Sequence, residues 1–384
     1  MSVIPYGRHE ITQADIDAVT DVLRSDHLTQ GPVVPQYERA VADYCGAAHA
    51  VAVNSATSAL HIACLALELG PGDWLWTTPI TFVASANCAL YCGARVDFVD
   101  IDPRTYNLSP DALEEKLKIA ESEGRLPKIV VPVHLCGQPC EMVRIHELGQ
   151  RYGFAIVEDA SHAIGGRYKG RPIGDCRFSD ITVFSFHPVK IVTSAEGGMA
   201  LTNDAKLAER MSLSRSHGVT RDPRLMTHEP DGPWYYQQIE LGYNYRMTEL
   251  QGALGLSQID RLDAYVAKRH ALACRYDTAL ANLPIITPWQ HPDGYSGLHL
   301  YVVRVRPDRH LDVFNAMREQ GIGVNLHYIP VHAQPYYQRM GFSAGDFPEA
   351  ESYYAQAISL PMYPTMREEQ QDHVVASLMQ ALVQ

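Results

Sequence analysis

Two kinds of hydrophobic spacing alternate along the first 205 residues or so. Compact apolar runs of strand character, such as AVAVNS at 50–55 and KIVVPVHLCG at 128–137, precede segments whose apolar positions recur with helical spacing, ATSALHIACLALELG at 56–70 and MVRIHELGQRYG at 142–153. RVDFVDID (95–102), FAIVEDAS (154–161), DITVFSFHP (180–188) and GGMALTND (197–204) read as further strands, most of them bounded by Gly, Pro or Asp. This alternation predicts an α/β fold, a mainly parallel sheet covered by helices. From about Met247 the pattern changes. A helical stretch continues to Leu280, and LHLYVVRV, a helix near LDVFNAMREQG and the β-like run VNLHYIPV follow as a mixed region. The change predicts a large domain with an N-terminal arm over 1–259 and a smaller C-terminal α/β domain over 260–384. The polar segment 221–233 reads as one exposed loop.

Composition narrows the classes of function. The chain has 384 residues, 46% of them hydrophobic and 20% charged, which suits about two domains. Lys and Arg number 32 against 44 Asp and Glu, a net charge of -12, and the basic residues are scattered. Nucleic acid and anionic membranes are therefore not expected partners. No apolar stretch approaches the roughly 18 residues that cross a bilayer, and MSVIPYGRHE lacks the apolar centre of a signal peptide, so a cytoplasmic location is expected. Among the eight cysteines, Cys88/Cys92 and Cys136/Cys140 are spaced CxxxC on apolar segments rather than as paired CxxC knuckles. That spacing predicts buried free thiols and no metal site.

The chemistry lies where predicted strands end. Asp159 closes the strand FAIVED, and Lys190 follows DITVFSF through His187-Pro188-Val189. Open α/β sheets bind ligands at the carboxyl ends of their strands. A lysine there can hold an aldehyde cofactor as a Schiff base, and an aspartate paired with a pyridine nitrogen keeps that nitrogen protonated; together they point to pyridoxal 5′-phosphate (PLP). Asn54-Ser55-Ala56-Thr57-Ser58, taken alone an ordinary helix cap, would in this setting offer hydroxyls and free N–H groups to the phosphate. Ser185 could add another hydroxyl. Phe82 could stack on a planar ring or pack in the core, and His162 could meet the cofactor's phenolic oxygen or make a structural hydrogen bond. Ser194-Ala195-Glu196-Gly197-Gly198 reads as a tight turn that fixes the lysine loop.

These residues carry a resemblance. LTQGP (28–32), NSATSAL (54–60), TPITFVASAN (78–87), VEDASHAIGG (157–166), FSFHPVK (184–190), AEGG (195–198), RSHG (215–218) and GYNYRMTELQGALGLSQ (242–258) occur in the order found in DegT/StrS-type nucleotide-sugar aminotransferases. The chain resembles that family over essentially its whole length. The resemblance implies a fold-type I PLP-dependent transferase in which Lys190 carries the cofactor, Asp159 faces the pyridine nitrogen, Phe82 stacks on the ring, and Thr57, Ser58 and Ser185 hold the phosphate. It further implies a homodimer in which Asn244 reaches the phosphate from the neighbouring subunit.

Within the family the chain most resembles the UDP-4-amino-4,6-dideoxy-N-acetyl-β-L-altrosamine transaminases of pseudaminic acid biosynthesis. The strings behind this are Tyr6 in the N-terminal arm, DHLTQG at 26–31, NSATSAL, an AEGG where most relatives have GEGG, RSHG, and Asn325-Leu326-His327-Tyr328. The likeness implies that Tyr6, His27, Leu28, Thr29, Ala56, Ser185, Asn244 and Asn325, Leu326, His327 and Tyr328 contact a UDP-linked 4-keto sugar, with L-glutamate as amino donor. His327 would supply a switchable donor and Tyr328 a phenolic hydroxyl. The lysine needs a lowered pKa to work near neutrality, and desolvation at a closed dimer interface is the expected cause. Two other readings remain open: a PLP sugar dehydratase, which in this family replaces the lysine with histidine, and a non-catalytic regulator. Lys190 speaks against the first, and the set Lys190, Asp159 and Asn244 against the second.

Overall fold

The computed structural model describes residues 3–383. Seven strands form its main sheet: β1 (His49–Val53), β2 (Trp74–Thr77), β3 (Arg95–Phe98), β4 (Ile129–Val131), β5 (Ala155–Asp159), β6 (Ile181–Ser185) and β7 (Gly198–Thr202). Their spatial order is β1-β7-β6-β5-β4-β2-β3. Neighbours run parallel from β6 to β3, while β7 runs antiparallel to both β1 and β6. Both faces of the sheet are covered, so strands such as β6 are buried at every position and read as continuous apolar runs.

β2 has no counterpart among the strands expected from the sequence. Its four residues, WLWT, lie between Gly-Pro-Gly-Asp and Thr-Pro and are too few to show alternation. The reversal of β7 was likewise absent from the reading, because an apolar run carries no mark of its direction. The predicted helix from Met247 to Leu280 is two helices. Glu249–Ile259 packs on the N-terminal helices Gln13–Arg24 and Val33–Cys45, and Leu262–Leu280 begins after a break at Asp260-Arg261. Arg261 is drawn aside at that break: its guanidinium binds both carboxylate oxygens of the buried Asp15 at 2.6 and 2.8 Å. VNLHYIPV forms no strand beyond a single bridge between Asn325 and Ser359.

A second apolar core gathers Leu272, Tyr276, Val303, Val313, Met317, Val374 and Leu378, and Ile4 of the N-terminal arm joins it. Ile4–Pro5 pairs in parallel with Ile322–Gly323, which ties the arm to the C-terminal region. All eight cysteines are free.

One edge of the main sheet collects the carboxyl ends of β1, β2, β5 and β6 with the amino end of β7. Helix α1 (Ala56–Ala66) starts there, capped by Ser55, whose side chain accepts from the Ser58 N–H. Gly198 makes that assembly possible. A Cβ on it would stand 2.5 Å from Ala56 N and from the Ser55 carbonyl. Three residues earlier Ala195 holds φ at +66°, the left-handed region that costs an L side chain about 1 kcal/mol or more. Ala195→Gly should therefore raise unfolding stability by about 0.5–1 kcal/mol in denaturant titrations. Unchanged or reduced stability would show that the turn carries no such strain.

Candidate active site

The sheet edge opens into a cavity of about 560 Å³. Lys190 lines it from the loop after β6, Asp159 from the end of β5, Ser185 from the end of β6, and Ala56 and Thr57 from the first turn of α1. Helix geometry leaves the N–H groups of that turn without intrahelical acceptors. Phe82 forms part of the wall with 58% of its surface exposed, an unusual state for a large aromatic. Tyr6 and the segment Asn325-Leu326-His327-Tyr328 line the cavity as well.

Burial lowers the pKa of Lys190 from 10.5 to about 8, with the nearby Asp159 charge opposing the shift. The folded chain alone supplies this desolvation, where the sequence reading had invoked a closed dimer interface. The direction gives a test. In apo-protein, acylation of Lys190 by an amine-directed reagent should rise about tenfold per pH unit and level off near pH 8, because only the neutral amine reacts. A rate still climbing through pH 10 would mark an ordinary lysine.

Asp159 is buried and held by two donors: the Ser85 hydroxyl on Oδ2 at 2.6 Å and the Ser161 N–H on Oδ1 at 3.1 Å. His162 is neutral, since burial and the charge of Lys190 push its pKa well below 6.5. The Cys136 N–H donates to Nδ1 at 3.3 Å, so the imidazole proton sits on Nε2 and is donated to Tyr328 Oη at 3.1 Å. The ring of His299 lies 4.5 Å from that of His162. His327 packs against Tyr6, ring centroids 5.1 Å apart, and contacts Ser359 Oγ at 2.8 Å and the Asn325 amide at 3.4 Å. Burial and Lys190 bring its pKa down to about 3. The expected switchable donor is thus a fixed neutral imidazole across the neutral range.

The family model for DegT/DnrJ/EryC1/StrS aminotransferases matches residues 9–379. The chain belongs to this family. It is 40% identical over 382 residues to the spore coat polysaccharide biosynthesis protein SpsC of Bacillus subtilis, covering 98% of this chain and 96% of that one. Among solved structures it is similar to PseC of Helicobacter pylori, an aminotransferase involved in pseudaminic acid biosynthesis, with a TM-score of 0.91, 30% identity and full coverage of both chains. The PLP form of the sugar aminotransferase Spr1654 of Streptococcus pneumoniae superposes with a TM-score of 0.90 at 29% identity, over 99% of each chain. This DegT-family protein is a sugar aminotransferase with a fold-type I architecture, and its cofactor is PLP. Its substrates are a nucleotide sugar and an amino donor. Among the described residues, no helix is long and apolar enough to cross a membrane.

The cavity fits that cofactor through its donor set: an amine of lowered pKa, a buried carboxylate, an exposed aromatic ring and free N–H groups at a helix start. Several residues singled out in the sequence stand off its wall. Ser58 is buried and its hydroxyl donates to Asn54 Oδ1 at 2.6 Å. His27, Leu28 and Thr29 are exposed, with His27 beside a different groove next to Glu249 and Thr29 bridged to Thr248. Asn244 is exposed and bridged to Ser216. Ser55 and Glu196, from the two turns named in the sequence, line the wall as well, and Leu60, Thr81, Ser161, His187 and His299 reach it without having been singled out. Ser85 lies just behind. TPITFVASAN carried Thr81 and Ser85 in plain view, but a hydroxyl on an apolar helix start reads as a cap.

Proposed function

We propose that this protein transfers the amino group of L-glutamate to C4 of UDP-2-acetamido-2,6-dideoxy-β-L-arabino-hex-4-ulose, as in pseudaminic acid biosynthesis, and that it acts as a homodimer. The observation that carries the chemistry is the joint placement of Lys190, at a pKa of about 8, and the buried Asp159 on one cavity. The full-length likeness to PseC, with Tyr6 and 325–328 on the wall, supports the sugar.

In this reading, Thr57, Ser185 and the N–H groups of Ala56 and Thr57 hold the phosphate, joined by Asn244 of the partner subunit, while Ser58, whose hydroxyl is given to Asn54, supports the turn from behind. Phe82 covers one face of the ring, and His162 lies near the ring with Tyr328. Bound there, PLP supplies an aldehyde and an electron-accepting ring. The Asp159 carboxylate faces the pyridine nitrogen and keeps its proton in place. Lys190 would hold the aldehyde, and once an amino donor took its place there, its neutral amine would be the group that accepts the donor's α-proton and gives a proton back, acting in the reverse order with the sugar. Tyr6, Ala56 and Asn325-Leu326-His327-Tyr328 read the sugar and its diphosphate, with His27, Leu28 and Thr29 closing the site from the dimer side. The steep rise of the Tyr328 pKa on burial keeps its hydroxyl protonated, a permanent donor.

The test is 2-oxoglutarate release from glutamate with a panel of UDP-4-keto sugars. The acetamido L-sugar should turn over fastest, and equal turnover of a D-configured epimer would overturn the sugar assignment while leaving the aminotransferase standing. A second reading, another nucleotide sugar destined for a surface polysaccharide, draws on the 40% identity to SpsC, and the same panel separates the two. His327→Ala should raise KM for the sugar about tenfold while leaving that for glutamate near its original value, as expected when the support of Tyr6 and Asn325 is lost. An unchanged sugar KM would remove 325–328 from recognition.

A further inference from the structure

We propose that Ser85, backed by Thr81, is a positioning residue that fixes the Asp159 carboxylate toward the pyridine nitrogen of the cofactor. The proposal rests on the role of Asp159 given above. Ser85 lies in the first turn of helix α2 (Ala84–Tyr91) and is fully buried; its hydroxyl lies 2.6 Å from Asp159 Oδ2 and 2.7 Å from Thr81 Oγ1.

The direction of this chain follows from counting hydrogens. An ionised carboxylate only accepts, so the single Ser85 hydrogen is given to Asp159. The Phe82 carbonyl, 3.4 Å from the same hydroxyl, is the poorer acceptor by both length and charge. With its hydrogen committed, Ser85 can only accept from Thr81. Both hydroxyls therefore point their hydrogens toward the carboxylate, and each bond polarises the next.

Two donors from different elements then fix the plane of the carboxylate. The Ser161 N–H holds Oδ1 from the loop after β5, and Ser85 holds Oδ2 from α2. Asp159 is only 5% exposed, which leaves little room for water to replace a lost donor. Without Ser85 the carboxylate is free to turn about its Cβ–Cγ bond, and the alignment with the ring nitrogen is lost. Thr81 lines the cavity itself, so the relay runs from the wall back into the core and out again to Asp159.

The test is equilibrium binding of PLP and of its 1-deaza analogue, in which a C–H replaces the ring nitrogen, to the full-length apo-protein. Ser85→Ala should weaken PLP binding by about tenfold, the scale of one hydrogen bond to a charged group, and change binding of the deaza analogue by less than about twofold. Thr81→Val should reduce the preference for PLP by about two- to threefold, and it carries the test if Ser85→Ala fails to fold. An equal loss for both ligands would make Ser85 a packing residue and overturn the proposal. So would an unchanged preference in Ser85→Ala beside a lost preference in Asp159→Asn. If Asp159→Asn itself keeps the wild-type preference for PLP, the assignment of Asp159 to the ring nitrogen fails instead.

Discussion

Replacement of Lys190 by alanine should lower transamination by about 10⁴-fold, the upper range for loss of a positioned acid–base group. Among the described residues, Lys190 is the lysine on the cavity wall and the one group there that can both bind an aldehyde and carry a proton across the reaction. The neighbouring imidazoles are poor substitutes. His162 and His299 are held neutral well below their ordinary range, and His327 falls to about 3, each by burial first. None of these three can take up and return a proton near pH 7 at the needed place. Single-turnover assays of Lys190→Ala, with and without added methylamine, provide the check. Activity within about tenfold of wild type would mean that another group does this work.

Mixing subunits should give the second large effect. Lys190→Ala and Asn244→Ala homodimers are each expected to be nearly inactive, whereas a heterodimer of the two restores one complete site of two and recovers toward half of wild-type activity. The geometry motivates this: Asn244 is exposed, stands off the cavity of its own chain, and is fixed by a backbone bridge to Ser216. In the homodimer proposed above, that placement leaves it to serve a second chain. Absence of recovery in verified heterodimers would return Asn244 to a structural role.

Much of the framework was legible because buried strands leave compact apolar runs. β4, β5, β6 and β7 fall within KIVVPVHLCG, FAIVEDAS, DITVFSFHP and GGMALTND, and β1 overlaps AVAVNS but starts one residue earlier, at His49. Strand ends then placed Asp159 and Lys190 on one edge, which carried the cofactor reading. What escaped were features decided by contacts between distant segments. The break before Leu262 coincides with the contact of Arg261 to Asp15, 246 positions away, and the backing of Asp159 by Ser85 joins residues 74 positions apart. Neither leaves a local pattern. The same holds for His327, whose imidazole looks switchable in the sequence and is neutral once burial and the Lys190 charge act on it.

Lys190 is the residue expected to hold the cofactor. Holoenzyme reduced with borohydride, digested and mapped by mass spectrometry tests it most directly. A single pyridoxyl group, on Lys190, is expected; a label on any other lysine would assign the aldehyde to that residue instead.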